Sequence, residues 1–217
     1  MGVTVLQQFP CIENRTGAQT IDLLTKRVIS LGAVQDGKFS VDCDTYSTIP
    51  ALGPQKTLHV FNNSEHSASM FSILETGTKT IPLVADRLFE FLIKKMTMIF
   101  TPNPQTAQGA MGPKKTKFES KGPRYQIGDF LVKIGNVTMN HQTFKGVLVE
   151  VEYRPCCVPA NCWELIREFL QGFLGSCVPN APPNYLQARF NEIYQPIDTI
   201  HQYLEHFNLY RKTPGFR

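Results

Sequence analysis

Glu150 and Glu152, in the run Glu150-Val-Glu-Tyr-Arg154, are the side chains whose spacing most suggests chemistry. Residues two apart on a strand project from one face, about 7 Å from each other, so two carboxylates could share a divalent cation. Asp42-Cys-Asp44 repeats the spacing. Enclosed in a barrel with Lys133 and Arg154, the four carboxylates would build a metal site of the tunnel-type triphosphatase kind, in which the ion polarises a phosphoryl oxygen. Against this, the intervening Val149, Val151, Val41 and Cys43 are the residues a core would take. That turns the carboxylates toward water on half-buried strands. No general base or phosphate cradle stands beside them in the sequence, and the solvated reading is preferred.

Other candidates for chemistry are weaker. Neither a G-x-S-x-G nucleophile elbow nor an H-E-x-x-H zinc helix occurs. The stretch Gly109-Ala-Met-Gly-Pro-Lys-Lys-Thr116 lacks the second glycine of a phosphate loop. His201 and His206 lie five apart on a predicted helix, about 140° around its axis, so they cannot share a metal as an i, i+4 pair does; His59, His66 and His141 are scattered. The six cysteines, at 11, 43, 156, 157, 162 and 177, show no C-x-x-C spacing and read as small buried thiols. Lys114, Lys115, Lys117, Lys121 and Arg124 gather ahead of Tyr125, but a net charge of +4 is too slight to demand nucleic acid. They read as a solvated or acid-binding loop.

The elements that would position these residues follow from periodicity. Val3 to Phe9 predicts a strand, and Thr16 with Gln19 a capping box opening a helix striped by Ile21, Leu24, Val28 and Leu31, which Gly32 ends. Phe39, Val41 and Cys43 alternate with polar residues as one strand, and short strands are expected at 57–61, 68–74 and 79–84. Asp86 caps a second helix with Leu88, Phe91, Leu92, Met96 and Ile99 as its buried stripe. Residues 101–117 predict a flexible loop. Strands follow at 125–139 and 146–153. Asn161 and Glu164 then open a helix striped by Trp163, Ile166, Leu170, Phe173 and Leu174, and a last helix begins at Pro196 with Ile197, Ile200, Leu204 and Phe207 inward. This order predicts an α+β fold, an antiparallel β-barrel-like sheet with flanking α-helices, in one domain over 1–217.

With 42% hydrophobic and 18% charged residues the composition is that of a globular chain. No apolar run approaches the roughly 20 residues of a membrane-spanning helix, and no secretory pattern opens the sequence. The expectation is an intracellular protein whose sequons at Asn14, Asn62 and Asn136 stay unmodified. Gly2 is followed by Leu6 where a myristoylation signal needs Ser or Thr.

Several stretches, in order and spacing, resemble the family of Mediator subunit 20 of animals: Val41-Asp-Cys-Asp-Thr-Tyr46, Asp129-Phe-Leu-Val-Lys133, Val149-Glu-Val-Glu-Tyr153, Glu168-Phe-Leu-Gln171, Phe173-Leu-Gly-Ser176, Gln202-Tyr203 and Phe207-Asn208. The resemblance is weakest at 47–55 and 101–117. It implies a β-barrel with flanking helices and a nuclear, non-catalytic subunit of the coactivator of RNA polymerase II. In the head module that subunit pairs with Mediator subunit 18, is tethered through subunit 8, and contacts the TATA-binding protein and polymerase. No cofactor, metal, membrane or direct nucleic-acid contact is implied, and no interface residue follows. A binding subunit needs an exposed apolar patch or a free sheet edge. Trp163 and Tyr153 are large enough to anchor a patch, but Trp163 begins an amphipathic helix and reads as core. The alternative function is a tunnel-type metal-dependent phosphohydrolase using Glu150 and Glu152.

Overall fold

The computed structural model describes residues 2–10, 15–49, 51, 53–96, 99–102 and 116–213. Most of the predicted loop, Cys11, Asn14, Lys114 and Lys115 lie outside the described residues. Nine strands are hydrogen-bonded in the order β1 (Val3–Phe9), β9 (Thr143–Tyr153), β8 (Phe130–Met139), β7 (Lys117–Ile127), β2 (Val34–Thr48), β3 (Thr57–Asn63), β4 (Ser69–Glu75) and β5 (Thr80–Asp86), with β6 (Phe100–Pro102) against β2. β1 pairs with β9, β2 with β3 and β6, and β4 with β3 and β5, all antiparallel; among the described residues β1 and β5 are the open ends, and helices flank the strands, so the α+β expectation holds. Backbone packing divides the chain into two compact units, Met1–Phe39 with Ser120–Val137 and Phe144–Arg217, and Ser40–Glu119 with Thr138–Thr143.

In the first unit α1 (Gly17–Ser30) opens with the predicted capping box, Thr16 and Gln19 bonding reciprocally. Leu24 and Val28 are buried, but Leu31 is the exposed end of the helix. The predicted strand 125–139 is instead a hairpin: Gly128 (φ 52) with Asp129 turns β7 into β8, and a left-handed glycine costs such a turn nothing. The core joins Val147, Val149 and Val151 of β9 to Trp163, Ile166, Leu170 and Phe173 of α3 (Trp163–Leu174), so the core reading of Trp163 is correct. Tyr153 packs at the margin of this core, against Phe130 at 5.0 Å. The Asn161 cap is not made; Cys162 stands at the start of α3, and Asn161 closes a short 3-10 turn. The short α4 (Asn184–Ala188) had no sequence prediction.

Helix α5 (Pro196–Lys212) carries more than its predicted apolar stripe, because Asp198, Gln202, Tyr203 and Tyr210 are also buried. Gln202 works as a substitute strand on the edge of β1: its Oε1 accepts from the Leu6 N–H at 3.1 Å, and its Nε2 donates to the Thr4 carbonyl at 2.9 Å. His206 Nε2 reaches the Leu6 carbonyl at 3.3 Å, and Gln7 Nε2 donates to the Gln8 carbonyl at 3.0 Å. The Leu6 N–H and the Thr4, Leu6 and Gln8 carbonyls on the free edge of the strand are thereby satisfied by side chains.

In the second unit Tyr46, Leu58, Val60, Met70 and Ile93 form a core, with Leu74, Phe89, Met96 and Phe100 packed against it. The buried side of α2 (Leu88–Lys95) is therefore Phe89 and Ile93 with Met96 just beyond it; of the predicted stripe only Met96 packs inward, while Leu88, Phe91 and Leu92 are 69%, 63% and 52% exposed. The helix has two apolar sectors, and periodicity alone does not say which one faces inward.

Two outcomes test the closure of β1. Gln202→Leu leaves a buried donor and acceptor without partners and should lower unfolding free energy by about 2–4 kcal/mol in denaturant titrations. Burial pushes the His206 imidazole down to about 4, against the opposing hydrogen bond to Leu6. Between its ordinary value of about 6.5 and pH 4 the unfolded chain then binds more protons than the folded one. This contribution is complete above about pH 6.5 and is lost as pH falls toward 4, on the order of 3 kcal/mol in all. His206→Gln should flatten the acid limb of stability measured between about pH 7 and 4.5.

Candidate protein-interaction surface

The paired carboxylates of β9 are held by protein groups. Glu150 is 3% exposed, contrary to the expected wet face: α5 covers that side of the strand while α3 covers the other. Lys133 Nζ, also 3% exposed, lies 2.8 Å from Glu150 Oε1, and the Tyr203 hydroxyl donates to Oε2 at 2.5 Å. Lys133 also stands over the Phe39 ring, 5.8 Å from its centre. Glu152 accepts from the Gly2 backbone N–H at 2.8 Å, and Arg154 is exposed at the end of the strand. A buried carboxylate whose two oxygens take an ammonium and a hydroxyl is a structural ion pair.

The other pair lies in the second unit. Asp44 is 8% exposed, again against the expected wet face, and Asp42 lies 3.3 Å from Lys117 Nζ. Burial raises the Asp42 carboxyl above its ordinary value, Lys117 opposes the rise and Glu119 adds to it. His141 Nδ1 stands 3.2 Å from Glu119 Oε2. Among the described residues no group of three His, Cys, Asp or Glu side chains is placed to hold a metal.

The remaining candidates also find structural partners. His201 stacks on Tyr185 at 4.7 Å. The described part of the basic cluster belongs to strand β7, not to a loop: Arg124 pairs with Asp36 at 2.9 Å, as Lys117 does with Asp42. Cys43 and Cys162 are buried thiols as expected, and burial pushes the Cys162 thiol up to about 12, but Cys157 is exposed. Sequence reasoning missed Tyr203 and Gln202 as partners. Their signal was a large polar pair set between Ile200 and Leu204 in an apolar stripe.

What stands out is apolar and uncovered. Ile81 and Leu83, on one face of β5, are 49% and 45% exposed, Val84 on its opposite face is 56% exposed, and Leu88, Phe91 and Leu92 of α2 are exposed as well. Isolated exposed leucines need no explanation, whereas several large apolar side chains left in water by one strand and the helix that follows it mark a candidate binding surface.

Lys133→Met should cost about 3–5 kcal/mol in denaturant titrations by stranding a buried carboxylate, and the double change Lys133→Met with Glu150→Leu should recover at least half of that loss.

The family model described as "TATA-binding related factor (TRF) of subunit 20 of Mediator complex" matches residues 1–208. The chain is 58% identical to Mediator of RNA polymerase II transcription subunit 20 of Aedes aegypti, over 98% of this chain and 95% of that one. It is 45% identical to the Drosophila melanogaster protein of the same name, over 98% and 87%, and 44% identical to the human one, over 98% and 95%. Among solved structures, a Pyrococcus horikoshii protein is similar with a TM-score of 0.43 and 16% identity, covering 81% of this chain and 90% of that one. An identity of 44–58% along nearly the whole length, together with a family match that spans the described strands and reaches residue 208 within α5, means that the chain belongs to the Mediator subunit 20 family.

Proposed function

We propose that the chain is a non-catalytic subunit of the Mediator coactivator, acting in the nucleus, pairing directly with subunit 18 in the head module and helping relay regulation to RNA polymerase II. Tethering through subunit 8 and contacts with the TATA-binding protein and polymerase belong to the same reading, as does operation of residues 1–217 as one module. Its relatives are named as a subunit of the Mediator of RNA polymerase II transcription, and no helix among the described residues is long and apolar enough to cross a membrane. The observation that carries the reading is the exposed strand and helix of the second unit. A folded chain keeps large apolar side chains on one strand and the next helix in water only at a cost in solubility, and a subunit recovers that cost when a partner covers them.

The phosphohydrolase alternative is not favoured, because Glu150, its central carboxylate, is already bound by Lys133 and Tyr203.

A tagged copy purified from nuclear extract should bring down subunits 18 and 8 in stoichiometric amounts with the rest of Mediator, as scored by mass spectrometry. Recovery as a clean monomer would overturn the assignment.

A further inference from the structure

We propose that β5 receives an extended, partly acidic segment of another Mediator subunit as an added strand. The inference rests on the chain being a Mediator subunit and concerns how its exposed surface is used.

The register of the β4–β5 hairpin decides which groups of β5 are available. The Thr76 N–H donates to the Lys79 carbonyl at 2.9 Å, which marks 76 and 79 as a hydrogen-bonded pair. Bonded and non-bonded pairs alternate along an antiparallel ladder. The partners Leu74↔Ile81, Ser72↔Leu83 and Met70↔Ala85 are then bonded, whereas Glu75↔Thr80, Ile73↔Pro82, Phe71↔Val84 and Ser69↔Asp86 are not. The backbone groups of Thr80, Pro82, Val84 and Asp86 therefore point away from β4. Pro82 agrees independently, since proline stands in an edge strand where its missing N–H faces outward. Among the described residues β4 is the only strand beside β5.

Proteins protect such edges or use them. At β1 the outward Leu6 N–H and the Thr4, Leu6 and Gln8 carbonyls are taken by Gln202, His206 and Gln7. Among the described residues no side chain bonds the outward backbone groups of β5 in this way, and Ile81 and Leu83 share a face with Leu74 and Met70, the face on which α2 packs. An added strand would set alternate apolar side chains beside Ile81 and Leu83, within reach of the exposed row Leu88, Phe91 and Leu92. Its donors and acceptors would meet the amides of Thr80 and Val84 and the carbonyls of Thr80, Pro82 and Val84. The gap at Pro82, an acceptor without a donor, fixes the register. Exposed Lys79, Arg87 and Lys95 outweigh Asp86 around this edge, while Glu75, opposite Thr80, lies 3.3 Å from His59 Nε2 and Glu90 is paired with Lys94, so carboxylates flanking the incoming apolar residues complement it.

The test uses the full chain in Mediator isolated from cells. Val84→Pro deletes an outward N–H and leaves the bonds of Leu83 and Ala85 to β4; Val84→Thr keeps the N–H. With both variants shown to fold by circular dichroism, Val84→Pro should reduce recovery in Mediator at least about tenfold, the loss of one well-made hydrogen bond or more, and Val84→Thr should not. Hydrogen exchange on the wild-type chain gives a variant-free readout: the amides of Thr80 and Val84 should be fast in the free chain and protected in Mediator, while those of Leu83 and Ala85 are protected in both. Normal recovery of Val84→Pro, or an unprotected Val84 amide in assembled Mediator, overturns strand addition and leaves the subunit assignment standing. If the wild-type chain is absent from Mediator, the assignment itself falls, and strand addition with it.

Discussion

A β-strand with a neighbour on one side only still carries a row of N–H and C=O groups that must be bonded or wet, and the arrangement of this chain follows from how that requirement is met. At β1 it is met internally. Gln202 places an amide where a neighbouring strand would place a peptide, bonding both Leu6 and Thr4. This fixes the position of α5 along the strand, because an amide side chain reaches two backbone groups of one edge only from one register. Tyr194, which also bonds the Gln202 amide at 2.9 Å, and Thr199, 2.8 Å from the Tyr194 hydroxyl, hold the glutamine in that orientation.

With α5 seated there, Glu150 has no route to water. The side of β9 that would be wet in a half-buried sheet lies under Tyr203, and a carboxylate in that position is tolerable only with a cation and a donor beside it. Lys133, on the adjacent β8, supplies the first and Tyr203 the second. The residues that looked most like a catalytic pair thus belong to a structural device. Pairing of this kind contributes little net stability over an apolar substitute, but it penalises any register of β8 against β9 that separates the charges.

The second unit solves its packing differently. Its core takes one sector of α2 and leaves the other, with the apolar side chains of β5, in water. A sequence selected only for a stable monomer would carry polar residues there. A chain whose family members are Mediator subunits has a reason to keep them.

The sequence by itself determined most of the local structure: β1, the capping box of α1, the start of α5 at Pro196, the α3 stripe with Trp163 in the core, and the family, all of which depend on spacing between near neighbours. It did not reveal the turn at Gly128, where one long apolar run hid two strands, since Gly-Asp within such a run fits either a hairpin or a bulge. Three matters were decided by tertiary structure alone. Alternation told which carboxylates share a face but not that Tyr203, on a helix 53 residues on in the sequence, buries Glu150. Periodicity gave two apolar sectors on α2 without saying which the core would use. Strand propensity found β5 but not its place at the end of the sheet, because an edge is defined by which strands pair, and pairing partners lie far apart in the chain.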